Sequence, residues 1–152
     1  MIVRQAKTSD TAAIVAFQMK MAKETEDLKL DEVMVKKGVE AVFHHPEKGT
    51  YFIAEEEIPV ASLLLTPEWS DWRNATVYWL QSVYVLPEYR QVHVFSRMFS
   101  YVFERIQKDP DSAGLRLYVD KSNQKAIKVY EKLGMDGDHY RLFELMKKLP
   151  VW

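Results

Sequence analysis

Between Trp79 and Phe103 the apolar spacing changes from two to three and four, and a proline marks the change. Trp79-Leu80-Gln81-Ser82-Val83-Tyr84-Val85 is rich in β-branched and aromatic residues and reads as a strand. Pro87 ends it, because a proline cannot donate a ladder hydrogen bond. Phe95, Met98, Phe99, Val102, Phe103 and Ile106 then recur at helical spacing. A strand that runs into a helix through a short basic turn is a natural place to hold an anion. The first N–H groups of the helix have no internal partner, and the dipole is positive there. Arg90 adds a full charge at that turn. The same residues fit a plain strand-to-helix connection with an exposed arginine, and this stretch alone does not choose.

On either side of it the chain alternates short strands with helices. Ile2 to Ala6 reads as a first strand, and Thr8, Ser9 and Asp10 offer helix N-caps. The helix that follows reaches about Thr25, with Ile14, Phe17 and Met21 on one face. Asp31 can cap a second helix carrying Val33, Val39, Val42 and Phe43, ending near His44-His45-Pro46. Strands are expected at Thr50–Ala54 and Val60–Leu65, separated by a solvated turn at Glu55-Glu56-Glu57. Thr66 to Asn74 reads as a polar loop whose Trp69 and Trp72 either pack back onto the sheet, the favoured reading, or wall a pocket. After the central strand and its helix, Asp109-Pro110-Asp111 breaks the helix. Leu115–Val119 is a further strand, and Asp120 to Asn123 turns into a helix with Ala126, Ile127, Tyr130 and Leu133 on its buried face. Gly134 is free to take the left-handed conformation that closes a helix. A last strand is expected over about Tyr140 to Met146. The order predicts an α/β (α+β mixed) fold with a mixed sheet and helices on both faces.

Size and charge narrow the function. A chain of 152 residues with 47% hydrophobic residues favours one domain with a sizeable core. Net charge is −1, and the basic residues are scattered among acids, so no face suited to nucleic acid emerges. There is no cysteine, which rules out thiolate nucleophiles and Cys-type zinc sites. Arg4, Lys7 and Asp10 interrupt any leader-like run, and nothing approaches the roughly 18 apolar residues of a membrane span. The expectation is a soluble cytoplasmic protein without membrane association. No G-x-G-x-x-G, no phosphate-loop lysine motif and no G-x-S-x-G elbow occurs. His44, His45 and Glu47 match no standard zinc spacing, and no metal is expected.

Leu115 to Met135, LRLYVDKSNQKAIKVYEKLGM, resembles the closing motif of the GCN5-related N-acetyltransferase (GNAT) superfamily. That motif is a strand followed by Asn123, Ala126, Tyr130, Gly134 and Met135 at the family's spacing. Val83 to Arg90 is similar to the family's central strand and the start of its pyrophosphate loop. Ile2–Asp10 and Tyr140–Glu144 resemble its first and final strand regions. The resemblance implies a mostly antiparallel mixed sheet whose two central strands splay apart, with acetyl-CoA in the gap. The pantetheine arm would pair with the backbone around Val83, Tyr84 and Val85. The pyrophosphate would sit on Arg90, Gln91, Val92, His93, Val94, Phe95 and Ser96, the anion site read above. Asn123 would meet the cofactor's lower arm, and Tyr130 would act as general acid to the leaving thiolate.

Two departures stand out. The family loop is Arg or Gln, two residues, Gly, one residue, Gly or Ala; His93 and Phe95 replace both small residues here. Glycine lets a phosphate approach the backbone closely, so His93 could occlude the phosphate or hydrogen-bond it. Gln81 and Ser82 stand where many members carry a glutamate base on the central strand, and neither can act as a base at neutral pH. The expected function is acetyl transfer from acetyl-CoA to a primary amine, small-molecule or peptide, by direct attack in a ternary complex. Trp69, Trp72 and the first two helices would shape the amine site, and family habit admits a homodimer. The alternative is a degenerate member of the fold that binds CoA weakly or not at all and serves as a binding or regulatory module.

Overall fold

A computed structural model describes residues 1–148. In chain order the elements are β1 (Ile2–Gln5), α1 (Thr11–Glu26), α2 (Glu32–His44), β2 (Thr50–Glu55), β3 (Pro59–Ser70), β4 (Ala75–Val85), α3 (Val94–Lys108), β5 (Ser112–Arg116) and α4 (Gln124–Lys132). The five strands form one sheet in the order β1-β2-β3-β4-β5. Neighbours are antiparallel except β4 and β5, which run parallel.

Alternation along the strands puts helices on both faces. Tyr51, Ile53 and Leu64 point to one side and pack with Ile14 and Val15 of α1 and Val39 of α2. Phe52, Leu63, Leu65 and Leu80 belong to a second cluster with Met98, Phe99, Val102 and Ile106 of α3. Phe52 meets the Tyr101 ring edge-on at 6.0 Å. This is the expected mixed sheet with covered faces. At the start of β2, Gly49 has φ +155, and a Cβ there would lie 2.6 Å from the Leu65 carbonyl oxygen, so no larger residue fits that approach.

Four expectations are corrected. Thr66 to Ser70 is strand rather than loop, because β3 and β4 form a long hairpin with Trp69 opposite Thr76 and only Asp71–Asn74 left in the turn. Trp69 and Trp72 accordingly do not pack back onto the sheet: they are 63% and 91% exposed. The strand expected at Leu115–Val119 begins and ends three residues earlier, since β5 pairs with β4 only from Ser112 to Arg116. Tyr140–Met146 forms no strand, as no neighbouring strand supplies its ladder, and residues 136–148 are all exposed. Strand propensity is a statement about a half-buried pleated surface, and this segment has none to lie on.

Asp10 was expected as a helix cap. Its carboxylate instead turns back to accept from the Lys7 N–H at 2.7 Å and from Arg4 at 2.8 and 3.0 Å. Arg4 also reaches Glu55 at 2.7 Å, which ties β1 to β2 and to the start of α1. Burial pushes the Asp10 carboxyl up, but the bonds from Arg4 and Lys7 outweigh it, and the group lies below its ordinary value of 3.8. Its stabilisation is therefore complete above the ordinary value and is lost as pH falls below it. Asp10→Ala is expected to lower stability by about 2 kcal/mol at pH 7, since it removes a buried charge partner. Urea unfolding should show that loss shrinking as pH falls below 4.

Candidate active site

The central feature is an irregularity in β4. Opposite Ser62 and Leu64 of β3 stand Tyr84 and Gln81, so Ser82 and Val83 together face the single residue Leu63. This is a β-bulge, and Ser82 adopts the left-handed conformation at φ +53. Beyond it the ladder resumes, with Leu86 N–H donating to Val60 O at 2.9 Å. Tyr84 faces β3 in the same alternation, so Val83 and Val85 direct their backbone groups to the opposite side. That side is where β5 would continue. It does not: the last β4–β5 pair is Trp79 with Arg116, and Leu117 to Val119 run free of the ladder. The bend imposed by the bulge and the short β5 leave the two parallel strands separated at the C-terminal half of β4.

The anion turn sits at the end of the same strand. Pro87–Tyr89 makes a single 3-10 turn, and α3 starts at Val94. Gln91 and His93 both adopt left-handed backbone, at φ +65 and +62. His93 therefore holds the conformation that glycine would favour, and histidine is among the residues that tolerate it. Its side chain is exposed, as is Val92, while Val94 is buried. No side chain caps α3; its first intrahelical bond from the loop is Arg97 N–H to His93 O at 3.0 Å. The N–H groups of Val94, Phe95 and Ser96 precede it and have no helical acceptor.

Arg90 is placed differently from the expectation of a charge offered to the turn. Its guanidinium donates to the Glu24 carboxylate at 2.7 Å and to Val85 O at 2.9 Å, and lies 5.4 Å from the Tyr84 ring centre. Tyr84 is buried, stacks on Phe17 at 5.5 Å and donates its hydroxyl to Glu24 at 2.7 Å. Glu24 lies 60 residues from Tyr84, and no local sequence signal could have paired them. The Tyr84 and Arg90 bonds hold the Glu24 carboxyl below the usual range. Burial first, then Glu24, pushes the Tyr84 hydroxyl up to about 12. Gln18 and Ser62 are buried polar side chains; Gln18 Nε2 and Ser62 Oγ have no partner among the described residues.

The closing motif supplies the other wall. Asn123 caps α4, its side-chain oxygen accepting from Ala126 N–H at 3.1 Å. Gly134 takes φ +86, and Met135 N–H closes back on Tyr130 O at 3.1 Å, as expected for a helix stop. Tyr130 packs edge-on against Phe95 at 5.7 Å, and Phe95 leads on to Phe99 at 6.1 Å. So the bulky residue that replaces a small one in the loop seats the tyrosine. Burial pushes the Tyr130 hydroxyl above its ordinary value of 10.0. The expected buried face of α4 is only half covered, and no residue from Gln124 to Lys132 is fully buried.

The structure thus brings Val83, Val85, the Gln91–Ser96 turn and Tyr130 around one gap through shared packing on the core cluster that includes Val83, Phe95, Leu117 and Leu133. It does not bring Trp69 and Trp72. By the hairpin register they lie roughly 20 Å along the strands from the bulge. A cavity of about 800 Å³ lies between α1 and α2, and another of about 510 Å³ lies under α3; neither is lined by the loop or by α4. No helix among the described residues is long and apolar enough to cross a membrane.

Gap, turn and tyrosine fit the shape of an extended phosphorylated thioester: open strand backbone, free helix N–H groups and a protonated hydroxyl. Comparison with known proteins gives the same direction. The Acetyltransferase (GNAT) family model matches residues 13–135. A possible acetyltransferase from Clostridium difficile 630 is 38% identical, with 97% of this chain and 98% of that one covered at a TM-score of 0.89. Two further structures share the fold at low identity. Glucosamine-6-phosphate N-acetyltransferase from Arabidopsis thaliana is 14% identical, with 96% and 98% covered and a TM-score of 0.74. AAC(6')-Iy, solved with a CoA-S-monomethyl-acetylneamine bisubstrate analogue, is 15% identical, with 97% and 98% covered and a TM-score of 0.77.

The left-handed His93 makes a testable point. His93→Gly is expected to keep or raise stability, by up to about 1 kcal/mol, because strain and glycine's chain entropy oppose each other. His93→Val should lower it by about 1–2 kcal/mol, since β-branched residues resist positive φ. Thermal unfolding of the two variants measures both. The match over residues 13–135, together with the bulged strand and the turn that follows it, places this chain in the GNAT acetyltransferase family.

Proposed function

We propose that residues 1–152 form a single acyltransferase domain that moves an acetyl group from acetyl-CoA to a primary amine. The observation that carries this reading is the bulge at Ser82 and Val83, which turns strand backbone toward the gap beside Tyr130's seat on Phe95. When bound, acetyl-CoA supplies a thioester carbonyl for the amine and a thiolate as leaving group.

The residues would divide the work as follows. The N–H groups of Val94 to Ser96 and the left-handed Gln91 and His93 backbone would hold the pyrophosphate. Arg90 would act indirectly: bound to Glu24 and Val85 O, it fixes the turn against the strand. The free backbone of Val83 and Tyr84's neighbour Val85 would pair with the pantetheine amides, and a Val83 N–H would receive the charge that develops on the carbonyl oxygen. Asn123, already engaged as the α4 cap, would keep only its amide N–H groups for the lower arm. Tyr130, held protonated by burial, would give its proton to the departing sulfur.

No carboxylate takes the place of the missing base. Glu24 is held ionised by two hydrogen bonds, and a lowered proton affinity makes it a weak base. The amine would then enter the reaction already neutral, without a covalent enzyme intermediate, as the chain has no cysteine. The acceptor would be a small molecule or a peptide amine. Its approach is from the α1 side of the bulge, where Gln18 and Ser62 present unpaired polar atoms.

Calorimetry with acetyl-CoA tests the reading at its weakest residue. The wild type is expected to bind, and His93→Gly to bind as well or better; no heat and no thermal shift at millimolar acetyl-CoA would leave the degenerate binding module as the better description. With an amine panel, Tyr130→Phe should cut kcat about 10²-fold or more with little change in acetyl-CoA affinity. Unchanged turnover removes the acid role. The rate should climb with pH as the amine loses its proton, with no fall before pH 10, because the Tyr130 hydroxyl titrates above its ordinary value of 10.0.

A further inference from the structure

The segment from Asp136 to Lys148 is the part of the chain that the proposed chemistry does not use. It follows the Gly134 stop, runs extended, and is exposed at every residue. Yet it is strongly apolar. Tyr140, Leu142, Phe143, Leu145 and Met146 are between 54% and 99% exposed. Only Arg141 and Glu144 interrupt them. Apolar residues fall on both alternating faces, the pattern of a strand covered on two sides rather than of a solvated tail.

The sheet has a matching vacancy in its hydrogen bonding. β5 is the last strand and pairs only with β4, so its outer edge carries unpaired backbone groups. The root of the segment stands beside that edge, with the Arg116 guanidinium 6.0 Å from the Tyr140 ring centre. Next to it, α4 carries a half-covered apolar face of Ala126, Ile127, Val129 and Tyr130.

We propose that two copies of this chain exchange these segments, each pairing residues 136–148 along the free β5 edge of the other and covering its α4. Within one chain the segment stays exposed although its own β5 edge lies at its root. A second copy presents the same edge, and a two-fold arrangement satisfies both edges at once. Five large apolar side chains from each of two arms bury on the order of 1,500 Å², within the range of about 1,200–2,000 Å² typical of specific interfaces. The partner's arm would also finish the burial of the helix that carries Tyr130, so the tyrosine's environment is complete only in the dimer. This inference does not depend on the acetyl-transfer reading.

The full-length protein tests it directly. Analytical ultracentrifugation should find a dimer at micromolar concentration, and Phe143→Asp with Leu145→Asp should weaken it by about a hundredfold or more. A wild-type monomer at 100-fold higher concentration, or a dimer indifferent to the double substitution, overturns the proposal. Exchange is separated from folding back by cross-linking. The chain has no native cysteine, so Ala113→Cys and Glu144→Cys can be joined in one chain by a flexible bismaleimide. A covalent dimer supports exchange; a cross-link within one chain, or none, overturns it.

Discussion

The bulge at Ser82 is the constraint on which the site depends. A regular β4 would continue beside β5 and pair its outward backbone groups with it, leaving nothing to hold a ligand. One extra residue bends the strand and turns Val83 and Val85 toward open space. The bulge carries a cost, because a non-glycine residue at φ +53 is disfavoured by about 1–2 kcal/mol. Such strain persists only where packing over-determines it. Here Tyr84 is pinned between Phe17 and Glu24 on one side of the bulge, and Leu80 is buried in the core on the other. The opening is thus held by the core, not by the loop.

A second consequence concerns charge. Arg90 is the only basic residue in the turn from Leu86 to His93 apart from a titratable histidine, and the fold uses it to clamp α1 to the end of β4. Anion binding then falls to backbone groups, which a fixed turn orients without side-chain entropy. Left-handed Gln91 and His93 set that turn, so the loss of glycine alters the side chain presented there and leaves the backbone path glycine would take. Phe95 tells a related story: where the family pattern has a small residue, its ring becomes the seat of Tyr130. Loop and closing motif depart together, the bulky loop residue packing on the motif's tyrosine.

Much of this was legible in the sequence because its causes are local. Proline and glycine stops, the Asp31 and Asn123 caps and the apolar period of α3 fix their elements from neighbours three or four residues away. The spacing from Asn123 to Met135 pointed to the family because a helix of fixed pitch sets which of those residues share a face. The rest was not local. Trp69 and Trp72 looked like packing residues, yet hairpin register carries them to an exposed tip. Tyr140–Met146 has strand propensity, but a strand forms only with a partner edge.

The sequence by itself determined where helices start and stop, which faces are apolar, and that a strand meets a helix at a turn able to bind an anion. Only the tertiary structure decided where the sheet opens, since a bulge is a mismatch between β3 and β4 that neither strand carries alone. Only it decided that Arg90 belongs to Glu24, a partner 66 residues away brought close by the packing of α1 on the sheet. Register and long-range pairing depend on the whole chain closing on itself, and no window of residues contains that information.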